Sequence, residues 1–273
     1  MTPLKPQAVG ELFSKSRAED TRQIVKIAAL YDIHGNLPAL DAVLREVFDL
    51  TVDLIVVGGD VLPGPMPLEA LARLAELKCP VEFILGNGEV AVLDCLAGKI
   101  PRVPEQYQPT LRWVAGEILA DQARSMSGWP KTLRITLAGF GDVLFCHATP
   151  RNENEIFTET TPEHTLLPIF TAARADVVIC GHTHMQFERT VGATRVANAG
   201  SVGMPFGEPG ADWLLLNPSG IEFRRTSYDL REAAERVRRT RYPQSEEFAA
   251  KSILQPPSKE EMLKAFARAE IRS

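Results

Sequence analysis

Over the first ninety residues, short runs of purely apolar residues alternate with segments of helical spacing. Ile24–Tyr31 reads as a buried strand. Leu37–Leu50 follows, with Leu40, Val43, Leu44 and Phe48 on one helix face. Leu54–Val57 is a second strand. A loop over Pro63-Gly64-Pro65-Met66-Pro67 then leads into a helix through Leu77, and Val81–Leu85 is a third strand. Alternation of strand, helix and strand argues for parallel strands joined by crossovers. Residues 88–130 break this rhythm. They read as a helical insertion, around Val90–Leu96 and Gln108–Met126, placed to cap a site at the strand ends.

Leu133–Leu137 and Val143–Cys146 flank Gly139-Phe140-Gly141-Asp142, a hairpin signal. Val177–Cys180 is another buried strand. Beyond it the chain alternates and turns often, through Phe187–Val191, Thr194–Ala197, Trp213–Leu216 and Ile221–Arg225, as antiparallel strands do. Leu230, Ala233, Ala234 and Val237 then share a helix face, and Ser258 with Glu261 forms a capping box for a last helix. The expected organisation is an extension over 1–23 with a short helix around Val9–Phe13, a domain over 24–228, and helices over 229–273. Those helices cover the domain or meet a partner.

The 273 residues carry a formal net charge of -5, which gives no global attraction to nucleic acid or an anionic membrane. No apolar stretch is long enough to span a bilayer, and Met1-Thr2-Pro3-Leu4-Lys5-Pro6 leads into no secretory h-region. Cys79, Cys95, Cys146 and Cys180 lack paired metal-type spacing, and the last two sit inside apolar runs. Reduced cysteines and a cytoplasmic setting are the expectation.

The polar residues that close the apolar runs carry the chemistry. Asp32 and His34 fall in Asp32-Ile33-His34-Gly35-Asn36, Asp60 in Gly58-Gly59-Asp60, and Asn87 in Gly86-Asn87-Gly88. His147 ends Val143–His147, and His182 and His184 form Gly181-His182-Thr183-His184 after the strand at 177–180. A lone histidine at a strand end is ordinarily just hydrogen-bonded; the repetition points to metal. Imidazole, carboxylate and amide oxygen together suit Mn, Fe, Zn or Ni better than Ca. Seven such ligands exceed one ion and fit two divalent metal ions sharing a bridging carboxylate, as in sites that clamp an in-line displacement.

The ordered set Asp-x-His, Gly-Asp, Gly-Asn, His, Gly-His-x-His resembles the calcineurin-like metallophosphoesterases, from about Ile24 to about Phe206. Asp32-Ile33-His34-Gly35-Asn36-Leu37-Pro38-Ala39-Leu40 is similar to the small bacterial and archaeal phosphodiesterase branch. Asn198-Ala199-Gly200-Ser201-Val202-Gly203 resembles that branch's Asn-Pro-Gly-Ser turn, with Ala199 replacing proline. The resemblance implies an α/β fold, a four-layer αββα sandwich of two mixed sheets flanked by helices. It implies Asp32, His34 and His184 on a first metal, Asn87, His147 and His182 on a second, and Asp60 bridging. The implied activity is a metal-dependent phosphohydrolase: a phosphodiesterase or phosphatase, or a hydrolase of nucleotides or dinucleoside polyphosphates. Water activated by the cations would attack phosphorus in line, on a small phosphorylated substrate.

Two further residues are assigned by position. Asn36 is expected to bond phosphoryl oxygens. Arg151, just past His147-Ala148-Thr149-Pro150, is expected to reach a substrate phosphate through its planar fork. The chain also departs from the family. Many relatives read Gly-Asn-His-Asp and use that histidine to protonate the leaving oxygen, whereas here the run is Gly86-Asn87-Gly88-Glu89. Glu89 and His164 are the candidate replacements. A different class of reading follows from the same departure: a binding scaffold with the fold and no turnover. Arg231, Arg236, Arg238, Arg239 and Arg241 are interspersed with Glu232 and Glu235 and read as a solvated helix face.

Overall fold

The computed structural model describes residues 26–101 and 103–271. The expected extension over 1–23, with its helix around Val9–Phe13, lies outside the described residues.

The first three strands form where the apolar runs are. They are β1 (Ile27–Leu30), β2 (Leu54–Val57) and β3 (Val81–Phe83), paired in parallel. Between them run α1 (Leu37–Asp49) and α2 (Pro67–Ala75), each with proline in its first turn, where no intrahelical N–H is needed. The hairpin signal at 139–142 joins β4 (Thr132–Leu137) to β5 (Gly141–Cys146), and β6 (Val177–Cys180) pairs parallel to β5. Next come β7 (Gln186–Val191), β8 (Thr194–Ala199), β9 (Ala211–Asn217) and β10 (Gly220–Thr226).

These strands divide between two five-stranded sheets, in the orders β10-β9-β1-β2-β3 and β4-β5-β6-β8-β7. The two late hairpins therefore part company. β7 and β8 join the second sheet, where β8 runs parallel to β6. β9 and β10 return to the first, where β9 runs antiparallel to β1. Both sheets are mixed.

Three apolar clusters set the layers. The middle one packs Ala29, Tyr31 and Val56 of the first sheet, with Leu214, against Val143, Phe145 and Ile179 of the second. On the far face of the first sheet, Ala28, Leu30 and Val57 meet Leu40, Leu44 and Leu71 of α1 and α2. On the far face of the second, Leu144, Cys146 and Val178 meet Leu166, Ile169 and Phe170 of the helix at Glu163–Ala173, here α6. The result is the expected four-layer αββα sandwich. Burial on both faces explains why strands such as β1, β2 and β6 read as unbroken apolar runs.

The insertion holds α3 (Asn87–Leu96), α4 (Gln108–Glu117) and α5 (Ala120–Ser127). Leu111, Val114, Ala115 and Met126 pack into the helix-side core of the first sheet, because their apolar face has nowhere else to be buried. The C-terminal helices α7 (Leu230–Arg238), α8 (Ser245–Phe248) and α9 (Lys259–Phe266) follow, with a π-helical turn at Ala249–Leu254. Ala233, Ala234, Val237, Tyr242, Phe248 and Ile253 join that same core.

Candidate metal centre

In parallel strands all carboxyl ends face one edge of a sheet, and ligands gather there. Both sheets present that edge together. Asp32 and His34 follow β1, Asp60 follows β2, Asn87 opens α3 after β3, His147 follows β5, and His182 and His184 follow β6. Main-chain bonds lock the loops to each other. Asp32 N donates to Gly59 O (3.1 Å), His34 N to Asp60 O (2.9 Å) and Gly181 N to His147 O (2.8 Å).

All seven side chains converge. His34 Nε2 lies 3.2 Å from His184 Nε2, and Asp32 Oδ1 lies 3.2 Å from His184 Nε2. His147 Nε2 lies 2.9 Å from Asn87 Oδ1 and 3.5 Å from Asp60 Oδ1. The other Asp60 oxygen faces His34 Nε2 at 3.7 Å, so this carboxylate stands between the two halves. The His182 ring lies 5.1 Å from that of His147, centroid to centroid. Among the described residues, Asp32, His34 and His184 form one metal-capable group, and Asp32, Asp60 and His147 form another.

The ring nitrogens are oriented from behind. His34 Nδ1 faces Pro63 O (3.1 Å), His147 Nδ1 faces Gly58 O (2.9 Å) and His184 Nδ1 faces Met204 O (2.9 Å). A carbonyl accepts only from N–H, so each Nδ1 carries a proton and each Nε2 faces inward, the orientation that metal-ligating histidines require. Asp32 Oδ2 accepts from His182 N (2.8 Å), yet Asp32 Oδ1 is buried with no hydrogen-bond partner. A buried carboxylate oxygen without a donor is expensive unless a cation faces it. Three inward imidazole nitrogens beside an orphaned carboxylate oxygen fit divalent metal.

Titration behaviour follows from burial and neighbours. Burial, reinforced by the charge on His184, pulls His34 down to about 3; burial and His147 do the same to His182, also to about 3. Burial raises Asp60 to about 7, with Glu89 and Asp32 adding to the rise and His147 opposing it. Burial also works against His147, but Asp60 and Asp32 hold it above the usual imidazole value. Burial would raise Asp32, yet the surrounding histidines, His184 foremost, keep it below the ordinary carboxylate range.

Five of these residues, Asp32, His34, Asp60, His182 and His184, have φ between 47° and 70°. Left-handed backbone is uncommon outside glycine and gathers at functional sites, where the surrounding structure enforces it.

The two residues assigned by position go elsewhere. Asn36 is fully buried and caps α1: its Oδ1 accepts from Ala39 N (3.2 Å), and its Nδ2 donates to Gly203 O (2.9 Å) and the Tyr228 hydroxyl (3.3 Å). Both amide hydrogens are thus engaged in packing. The Arg151 side chain is 56% exposed and pairs with Glu155 at 2.7 Å. Neither supports the expected phosphate contact. His164 is exposed in the first turn of α6, outside the site.

Glu89, a candidate for the missing proton donor, has a different role. It is fully buried and accepts from Asp60 N (2.9 Å), Leu62 N (3.0 Å) and Gly86 N (2.9 Å). It ties the Asp60 loop to the start of α3 and is turned toward backbone, not substrate. Its legible signal was a glutamate three residues after the glycine at a helix start, the acceptor half of a capping box. Asn198 acts similarly, donating to Gly181 O (2.7 Å) and Thr183 Oγ1 (3.1 Å) and so bracing the His-x-His turn.

Residues 25–219 match the model of the calcineurin-like phosphoesterase superfamily domain. The chain belongs to that superfamily, a class of metal-dependent phosphoesterases, and the class implies divalent metal. It is 26% identical over 237 residues to the uncharacterized protein MJ0912 of Methanocaldococcus jannaschii, covering 80% of this chain and 94% of that one. Its fold is similar to the hypothetical protein PH1004 from Pyrococcus horikoshii (TM-score 0.71, 19% identity, 86% of this chain and 100% of that one). It is also similar to a metallophosphoesterase from Sphaerobacter thermophilus (TM-score 0.64, 23% identity, 84% and 98%). Among the described residues no helix is long and apolar enough to cross a membrane.

Proposed function

We propose that this protein hydrolyses phosphodiester or phosphoanhydride bonds of small substrates, nucleotides and dinucleoside polyphosphates among them, by in-line attack of water at a centre of two divalent ions. Asp32, His34 and His184 would hold one ion, Asn87, His147 and His182 the other, with Asp60 between them. The observation that carries this reading is the convergence of seven such side chains on one strand edge with Asp32 Oδ1 left unpartnered. Bound there, such ions would supply Lewis acidity, lowering the pKa of water and neutralising phosphoryl charge. Mn is the first metal to try.

The chain's own residues set what the site can do. The backbone carbonyls of Gly58, Pro63 and Met204 fix the imidazoles. No side chain at position 88 can hand a proton to the leaving oxygen, and Glu89 is occupied by three backbone N–H groups. Good leaving groups, aryl esters and anhydrides, should therefore react far faster than alkyl esters.

The test is hydrolysis of p-nitrophenyl phosphate and its bis ester with Mn2+, before and after chelation, in wild type and Asp60→Ala. Metal-dependent turnover lost in a folded Asp60→Ala supports the reading; unchanged turnover defeats it. Gly88 also favours a second reading, a metal-holding scaffold without turnover, which the same assay separates by finding bound metal and no hydrolysis.

A further inference from the structure

The C-terminal chain runs beside the metal centre, from the helical layer of one sheet to that of the other. Ile253 is buried in the first layer, and Ile271 packs against the core of the other. Between these points the chain is pinned repeatedly. Gly207 N donates to Pro257 O (2.9 Å), Lys259 Nζ pairs with Glu159 (2.9 Å), and Ile271 N donates to Ile156 O (3.0 Å). Glu270 Oε1 accepts from the hydroxyls of Thr158 (2.6 Å) and Thr161 (2.9 Å).

So held, α9 brings the Phe266 ring to 6.1 Å from that of Phe206. Phe206 is stacked on His184, with centroids 5.2 Å apart and planes at 24°, and its N–H donates to His184 O (3.1 Å). His184 is already oriented by Met204 O, so Phe206 is not needed for that. Both phenyl rings are only half-buried. Two partly open aromatic rings therefore adjoin a polar ligand cluster. The ring that Phe206 stacks on, His184, has its Nε2 3.2 Å from Asp32 Oδ1, so the aromatic pair begins directly beside the polar cluster.

Resting on the phosphoesterase reading above, we infer that Phe206 and Phe266 form a stacking wall that selects substrates bearing a planar aromatic substituent on the phosphate. Aromatic rings offer such a group an apolar face and stack sequence-tolerantly on nucleobases. The wall is supplied jointly by the loop after β8 and by the C-terminal strap, so the strap takes part in specificity.

The experiment compares competitive inhibition by AMP, phenyl phosphate and ribose 5-phosphate against bis(p-nitrophenyl) phosphate hydrolysis by the full chain with Mn2+. Wild type should bind the ring-bearing monoesters about tenfold more tightly than ribose 5-phosphate. Phe266→Ala should collapse that ratio, and so should Phe266→Leu, which keeps apolar bulk but no ring. Lys264→Ala, on the exposed face of α9, should not. A preference for AMP alone or for both aromatic monoesters tells a nucleobase pocket from a general aryl one, and either supports the wall if Phe266→Leu abolishes it. Turnover with no ring preference, or a preference unchanged in both Phe266 variants, overturns this inference alone. Absence of turnover and of phosphate binding in the metal-loaded wild type overturns the phosphoesterase reading and this inference together.

Discussion

Under the proposed metal assignment, Asp60 and His147 are the residues at which protons would compete with metal. His34 and His182 are held neutral down to about 3, so they are ready to ligate across the ordinary pH range. Asp60 is raised to about 7 and His147 lies above the usual imidazole value, so the metal-free site holds protons there near neutrality. A cation must displace those protons, so affinity rises with pH through about 7. Calorimetric titration of Mn2+ should show tighter binding at pH 8 than at pH 6. Its apparent enthalpy should depend on the buffer, as proton release demands; equal affinity at both values would contradict this. Gly88 makes a second residue-scale case. Its N–H donates to Asp60 Oδ1 at 2.7 Å, and a Cβ added to it would stand 2.0 Å from Leu62 O. The family's histidine cannot be restored here without moving that loop. Gly88→His should cost about 2 kcal/mol in urea unfolding and lower activity, instead of rescuing slow alkyl leaving groups.

Among the elements, α3 shows how a helix start is used to build a site. Asn87 is its first residue, and Glu89 in its first turn gathers the N–H groups of Asp60, Leu62 and Gly86. Glu89→Ala would leave those three donors buried without acceptors, at about 1–3 kcal/mol each before relaxation. The variant should be destabilised by at least about 3 kcal/mol in denaturant titration and should bind Mn2+ weakly; near-wild-type stability would show that Glu89 is not holding these loops. The strands were legible because burial on both faces leaves unbroken apolar runs, and the candidate ligands because each closes or follows such a run. The direction of a loop side chain was not legible. Asn36 and Arg151 sit next to ligands in sequence, but the first is a helix N-cap ahead of Leu37-Pro38 and the second pairs with Glu155 four residues on. Both local signals were present in the sequence.

On the scale of the whole molecule, the chain from Leu230 onward belongs to the core it covers. Ala233, Ala234, Val237, Tyr242, Phe248 and Ile253 share a cluster with Leu40, Leu71 and Val114, and Trp113 meets Tyr242 edge-on at 5.6 Å. Truncation after Asp229 would expose that apolar face. The shortened chain should lose its cooperative thermal transition or precipitate; a soluble product with an unchanged transition would mean the tail folds apart. From its one-dimensional order alone, this chain declared the class of chemistry, the ligand set to test and the strands that carry it, because metal ligands and buried strands are local signatures of residue type and spacing. Only the tertiary structure decided that the last two hairpins go to different sheets, that the insertion joins the helical layer, and that Glu89 serves the backbone. Those outcomes depend on which distant surfaces meet, and apolar periodicity names a face to be buried without naming its partner.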